Sequence, residues 1–429
     1  MKISFIASLI TIPVVLSLLL TSCEKDSISE PMSTERTVLV YMASHNDLSS
    51  YSAADVEEIK SGFLPKWYDS GRGDVLLVYR HGLSDNPALM RVSEDNGRAR
   101  VDTLVKYSRQ NSCVDTTLRK VLKDAFGMFP SNERGLILSS HGTGWLPEGY
   151  YSHPVDFSLN TPMWANQQTQ SGGMGRMLEN LPVIEIPNPS LVKSFGLDDY
   201  GSTEMDISIL RNALTYHLDY LILDACLMGG VEVAFQMREC CDYLVASQAE
   251  ILSDGFPYSE IMSIAFDKGQ DVASRSRKIA EKYYEYYNGC SDWRRSATIS
   301  VLKTSELSPL AFSVKAILDA GGKQNTDTLS LKQGELKYMQ RYFRYGRHWF
   351  YDLDDYISQV CPDAGLYSSF DAAMQKAVIY KAATPYVLDG MDGFPIKHYS
   401  GLSTYVSRSG NSYLNEYYST LDWGTAIGF

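Results

Sequence analysis

The chain is poor in the signatures that announce a metal or a bound cofactor. It has 7 Cys but no CxxC pair, so a zinc cluster built on paired thiolates is excluded. It also lacks a Walker loop, a GxGxxG turn, an HExxH helix and an EF-hand-like loop, which removes the common phosphate, dinucleotide, zincin and calcium-sensor sites. Basic residues are outnumbered, 39 Lys and Arg against 51 Asp and Glu, and a net charge of −12 is a poor match for nucleic acid. Trp is scarce at 6 while Tyr reaches 29, which favours a wet, hydrogen-bonding surface without naming a ligand. No internal repeat of fixed period is visible. What remains is an ordinary apolar fraction of 44%, enough for a sizeable core and against global disorder. At ~100–200 residues per domain, the 429 residues allow two or three domains or one enlarged domain with additions.

The N-terminus has its own chemistry. Met1–Leu20 carries one charge, Lys2, ahead of an apolar run from Ile3 that is broken by Pro13 and several Ser. That pattern reads as a secretory signal rather than a permanent span, since no stop-transfer flank follows. Leu20-Thr21-Ser22-Cys23 resembles the bacterial lipobox, in which the Cys is acylated and becomes the first mature residue. A multiply acylated Cys23 would anchor firmly, at roughly 0.8 kcal/mol per buried methylene. Residues 1–22 are therefore expected to be a lipoprotein signal peptide, and the polar, aperiodic residues 23–36 a tether. The expected location is the bacterial outer membrane, facing the periplasm or the cell surface. Six other Cys remain, and the adjacent pair Cys240-Cys241 is a poor disulfide, so at least one thiol is expected to stay free.

From Thr37 short apolar strands alternate with amphipathic helices. Strands are expected at Val38–Met42, Val75–Tyr79, Gly135–Ser140, Tyr220–Asp224, Asp242–Ser247 and Ala297–Leu302. Asn46 or Asp47 is placed to cap a helix running to about Phe63, and Asp115 to cap one with Leu118, Val121, Leu122, Ala125 and Phe126 on a single face. Thr203, with Asp206 three residues on, reads as opening a helix over Glu204–His217. Further helices follow around Val231–Arg238 and Asp271–Tyr287. The alternation predicts an α/β fold, a three-layer α/β/α sandwich with a mostly parallel sheet, over residues 37–304. Residues 305–429 are more helical and Tyr-rich, end in a short strand at Gly401–Val406, and read as an appended C-terminal subdomain. Residues 146–195 lose periodicity and are rich in Gly, Pro, Asn and Ser. A stretch that long is usually a lid or a segment to be cut.

In open α/β sheets, sites gather at the carboxyl ends of the strands. Two strands here end in reactive residues followed by Gly: Ser139-Ser140-His141-Gly142-Thr143-Gly144-Trp145 and Asp224-Ala225-Cys226-Leu227-Met228-Gly229. A thiol becomes a good nucleophile once an imidazole favours the thiolate, and the same imidazole can protonate a leaving amine. The amides of Gly142 and Cys226 would point into the same cleft and could stabilise an oxyanion. A Cys at a strand end is most often only a small buried hydrophobe, and a lone His a structural one. It is the pair that is uncommon. Asp224, two residues before Cys226, shares its face of the strand. Asp254, in a loop after the Val245-Ala246-Ser247 strand, is either a turn residue before Gly255 or an acid lining the cleft.

The two blocks closely resemble those of the clostripain family of cysteine peptidases, which share the fold of caspases, legumain and gingipains, and the His-then-Cys order matches. The resemblance implies a caspase-like sheet, His141 as general base and acid, Cys226 as nucleophile, and the Gly142 amide in the oxyanion hole. It implies polypeptide substrates cut after Arg or Lys, with Asp224 and Asp254 lining the primary pocket. It also implies self-cleavage between the two blocks, for which Lys193 and then Arg176 are the candidates. It calls for no cofactor, although some members need calcium, and Asp198, Asp199 and other acids could supply oxygen ligands. His45 follows the first strand and could border the cleft, although helix entry explains it as well. His217, His348 and His398 have no ligand-spaced partners. The expected function is a lipid-anchored endopeptidase. The alternatives are a catalytically inactive binding lipoprotein of the same fold and a peptidase of other specificity.

Overall fold

The computed structural model describes residues 34–67, 73–150, 195–198, 203–323, 339–344, 349–407 and 412–429. Cys23, Arg176, Lys193, Asp199 and His348 fall outside the described residues. Among the described residues no helix is long and apolar enough to cross a membrane.

The apolar run at Val38–Met42 forms the middle of β1 (Thr34–Ser44), which is buried along almost its whole length. A strand covered on both faces belongs inside a parallel sheet. β1 accordingly runs between two parallel partners, β2 (Val75–Gly82) and β5 (Ser131–Ser139). β5 in turn pairs in parallel with β8 (Leu218–Asp224), and β8 with β9 (Cys241–Ala246). Antiparallel strands complete both sides. β3 (Ala88–Asp95) and β4 (Arg98–Lys106) follow β2, while β10 (Thr298–Lys303) and β12 (Val378–Ala383) follow β9. The result is one nine-stranded, mixed sheet with five parallel strands at its centre and helices flanking it.

Local chemistry explains where the elements depart from expectation. Helix α1 (Ser49–Ser61) starts later than a cap at Asn46 or Asp47 would place it. Asn46 Oδ1 instead accepts from the Leu48 N–H at 2.8 Å, a short turn, and Asp47 is drawn elsewhere. Helix α2 (Asp115–Met128) begins at Asp115, whose carboxylate pairs with Arg119 in the first turn rather than capping. Thr203 opens no helix. It lies in β7 (Thr203–Met205), paired with β6 (Phe195–Asp198), and α3 (Ile207–Ala213) is capped by Asp206 accepting from Ser208 N–H. Helix α6 (Val272–Asn288), expected around Asp271–Tyr287, is capped by Asp271 accepting from Ser274 N–H. The β3–β4 hairpin turns at Asn96-Gly97, both with positive φ (54° and 77°), the type I′ geometry that matches strand twist.

The C-terminal stretch is knit into this sheet. It supplies β12, and Ser403 in β15 (Ser403–Thr404) donates its N–H to Gly229 O at 3.1 Å. Trp145, fully buried just after His141, packs against Tyr405 and Tyr418 at 4.6 and 5.1 Å between ring centroids. These contacts bolt the residues after 305 to the loop that carries the histidine.

Candidate active site

Register places the two reactive residues side by side. Ser139 at the end of β5 sits opposite Asp224 at the end of β8, so His141 and Cys226 each lie two residues past an aligned pair. The loops that follow pack closely. A Cβ on Gly142 would come within 2.5 Å of Cys226 O and 3.2 Å of Cys226 N, so only glycine allows the approach. Gly144 has φ +63°, and a Cβ there would meet Leu227 O at 2.6 Å. Leu227 itself takes φ +63°, a strained value for a side-chain-bearing residue, directly after Cys226. The turn is sharp, and it lifts Cys226 off the end of the strand. Neither the Gly142 nor the Cys226 N–H is committed to a backbone partner among the described residues.

Each reactive side chain has a partner of its own. His141 Nε2 lies 2.7 Å from Asp47 Oδ1, and the imidazole holds the Asp47 carboxyl below the usual range. Sequence reasoning assigned Asp47 to a helix end. Its position just past β1 carried the missed signal, since β1 neighbours β5 and their carboxyl ends open on the same side. Cys226 Sγ accepts from Ile251 N–H at 3.3 Å and donates to Ile251 O at 3.5 Å. Burial first, then the nearby Glu250 carboxylate, pushes the Cys226 thiol up to about 12. Glu250 is gripped by Arg344, with Nε 2.6 Å from Oε2 and Nη2 2.9 Å from Oε1. No hydrogen bond joins His141 to Cys226, and the half-buried thiol is held instead by the Ile251 backbone.

Behind Cys226 the acids converge. Asp224 is buried, accepts from Tyr258 Oη at 2.8 Å, and has its carboxyl pushed up to about 6 by burial. Gly255 (φ +62°) wraps around it, with a notional Cβ only 2.8 Å from Asp224 Oδ2. Asp254 is therefore a turn residue, and it is also an exposed acid at the mouth of this cluster. Helix α1 adds Asp55 and Glu58, which sequence reasoning did not single out. Glu58 Oε2 accepts from Tyr258 N–H at 3.1 Å. Asp55 feels Asp224, Glu58 and Asp254, and burial with those like charges raises its carboxyl to about 9.

Asp198, a candidate calcium ligand, is buried and already engaged. Its Oδ1 lies 3.1 Å from His45 Nδ1, and its Oδ2 accepts from Ser112 N–H at 2.7 Å. Arg109 can only donate, at 2.8 Å to His45 Nε2, so His45 is neutral with its proton on Nδ1 toward Asp198. His81 stacks on His45 at 4.6 Å between centroids and also approaches Asp198. That setting suits an imidazole-bound carboxylate, not an oxygen-only calcium shell. His45 thus anchors β6, whose Gly196 N–H reaches His141 O at 2.9 Å. His217 pairs at the surface with Asp242. His398 meets Asp352 and Asp354, the one grouping of metal-ligating atoms among the described residues. There Tyr342 Oη, Ser400 N–H and Asp355 N–H already donate to Asp352. All six described cysteines are free.

Comparison with known proteins is consistent across sequence and structure. A family model described as the clostripain family matches residues 40–156 and 187–425. An inactive zymogen C11 protease from Parabacteroides distasonis is 30% identical, with a TM-score of 0.71 over 93% of this chain and 99% of its own. A secreted C11 cysteine protease from Bacteroides thetaiotaomicron, solved with an irreversible peptide inhibitor, is 26% identical, with a TM-score of 0.70 over 92% of this chain and 98% of its own. A search of curated proteins finds no match.

Proposed function

The chain belongs to the clostripain family, and on that premise we propose that it is a cysteine endopeptidase cleaving polypeptides after Arg or Lys. The observation that carries the reading is the shared register of β5 and β8, which sets His141 beside Cys226 with the Gly142 backbone against the nucleophile. In this scheme His141 takes the Cys226 proton, and the thiolate attacks the scissile carbonyl carbon. The amides of Gly142 and Cys226 receive the developing oxyanion. His141 then gives its proton to the leaving amine, and the thioester is hydrolysed by a water that His141 deprotonates. Asp47, bound to Nε2, orients the ring and leaves Nδ1 for these transfers.

Specificity follows from charge. Asp224 and Asp254, with Asp55 and Glu58 behind them, form an acidic cluster beside the nucleophile. Arg80, the cation acting on Asp55, is spent on Ser52, Ser49 and Asp85. A guanidinium or ammonium from substrate would supply the missing counter-charge.

The thiol contacts with Ile251 support a resting form, in which the segment after β9 must shift before Cys226 can react. In the same reading the chain is exported and lipid-anchored through Cys23, and is processed after Lys193, with Arg176 second. Arg-, Lys-, Asn- and Asp-ended reporter peptides, tested on the wild type and on Cys226→Ala, examine the whole scheme. Arg or Lys reporters should be cut by the wild type alone, and residual cleavage by Cys226→Ala would sink the mechanism. Equal single full-length bands for both proteins under activating conditions would remove self-processing.

A further inference from the structure

Helix α1 buries Ser52, Asp55 and Ile59, a spacing that puts all three on one face. Ser52 Oγ lies 2.7 Å from Ser44 Oγ at the end of β1, and Ile59 enters the core, so Asp55 is held between two fixed points. The neighbouring acids have donors: buried Asp224 has Tyr258, and half-buried Glu58 and Glu250 have the Tyr258 amide and Arg344. Asp55 is only 6% exposed and accepts no hydrogen bond from any described residue. Asp224 at the end of β8, Asp254 before α5 (Tyr258–Ala265), Glu58 on its own helix and the Tyr258 hydroxyl all bear on it. Arg80 of β2 is a cation acting on it, and its donors are committed elsewhere.

Resting on the proposed preference for a basic side chain, we infer that Asp55 is a third specificity-determining carboxyl of the primary pocket, set to meet the substrate's cation. Burial among like charges keeps its proton on at neutral pH, with the carboxyl raised to about 9. An arriving guanidinium or ammonium reverses the balance, because the ionised form gains an opposite charge. The O–H bond breaks, the proton passes to solvent, and the carboxylate accepts a charge-assisted hydrogen bond from the cation. Binding of a basic side chain therefore strengthens as pH rises from 6 toward 9, whereas binding of a neutral one does not. Asp224, raised only to about 6, is already ionised over most of that range and cannot supply the proton.

Calorimetric titration of the full chain with benzamidinium at pH 7.5, in two buffers of different ionisation enthalpy, reads the proton directly. The wild type should release about one proton per cation bound, since one carboxyl ionises. Asp55→Asn, nearly isosteric with the protonated carboxyl, should release close to none and bind roughly 10-fold more weakly. It should also raise KM for an Arg reporter with kcat little changed. Proton-free binding by the wild type, or unchanged proton release and KM in Asp55→Asn, overturns this inference alone. A wild type that neither binds benzamidinium nor cleaves Arg or Lys reporters overturns both this and the proposed specificity.

Discussion

His141 Nε2 and Asp47 Oδ1 stand 2.7 Å apart, joining the end of β5 to the end of β1 through one charge-assisted contact. In the proposed mechanism the carboxylate holds Nε2 and leaves Nδ1 to face Cys226. Asp47→Asn should lower kcat by roughly 10–100-fold with little change in KM, and Asp47→Glu should restore part of the loss. Because Asp47 is half exposed, the stabilising effect should stay under about 0.5 kcal/mol. Its carboxyl sits below the usual range, so that contribution is present above the unfolded value near 4 and disappears as pH falls through the folded one. Thermal melts of wild type and Asp47→Asn should therefore converge below about pH 4.

The Cys226 thiol, pushed up to about 12, carries far less than ~0.1% thiolate at neutral pH. Cys226, Cys290 and Cys361 are all half-buried, so iodoacetamide should label Cys290 and Cys361 well before Cys226 because of the raised Cys226 thiol. Glu250→Gln removes a negative charge beside the sulfur and should speed Cys226 labelling, while Arg344→Ala should slow it. Peptide mapping by mass spectrometry gives the order. Fast labelling of Cys226 in the untreated wild type would contradict the resting form.

Gly142→Ala drives a methyl to 2.5 Å from the Cys226 carbonyl, against backbone that cannot swing aside. The expected cost is about 1–3 kcal/mol of stability, as for other overpacked positions. Loss of kcat should exceed the stability loss, because in the proposed mechanism the displaced groups are the nucleophile and an oxyanion donor. Denaturant melts alongside kcat, measured where both proteins are folded, separate the two effects.

Two acids make the fold sensitive to base rather than acid. Asp55 and Asp224 have folded-state carboxyls raised to about 9 and about 6, above the unfolded value. The native state holds more protons than the unfolded one, so stability falls as pH rises from about 4 through those values. Asp55→Asn should flatten this slope and stabilise the chain at pH 8 by roughly 1–3 kcal/mol, because the folded state no longer has to protonate a carboxyl that is ionised in the unfolded chain. Chemical melts at pH 5.5 and 8 check the sign. A wild type more stable at pH 8 than at pH 5.5 would count against it.

The sheet was legible where strands are apolar and doubly buried: Val38–Met42, Val75–Tyr79 and Tyr220–Asp224 announce their place by composition. The β3–β4 hairpin was harder because its outer strand alternates weakly and is half exposed, although Asn96-Gly97 marks its turn. His141 and Cys226 stood out through their position after strands and the glycines beside them. Asp47 and Asp55 did not, since their roles arise from which strands become neighbours and which helix face turns inward. A short-range pattern carries neither fact. Thr203 misled for a related reason: its capping-box spacing lost to a strand pairing with Asp198 that local sequence cannot express.

The pairing of Ser139 with Asp224 has a last consequence. His141 and Cys226 are aligned by the ladder between β5 and β8, not by the polypeptide that runs from one to the other. The β5–β8 ladder remains when that connection is cut. Two separately expressed pieces, one closing after Tyr150 and the other opening before Phe195, share the β5–β8 ladder, the Trp145 aromatic cluster and the Gly196–His141 hydrogen bond as seams for reassembly.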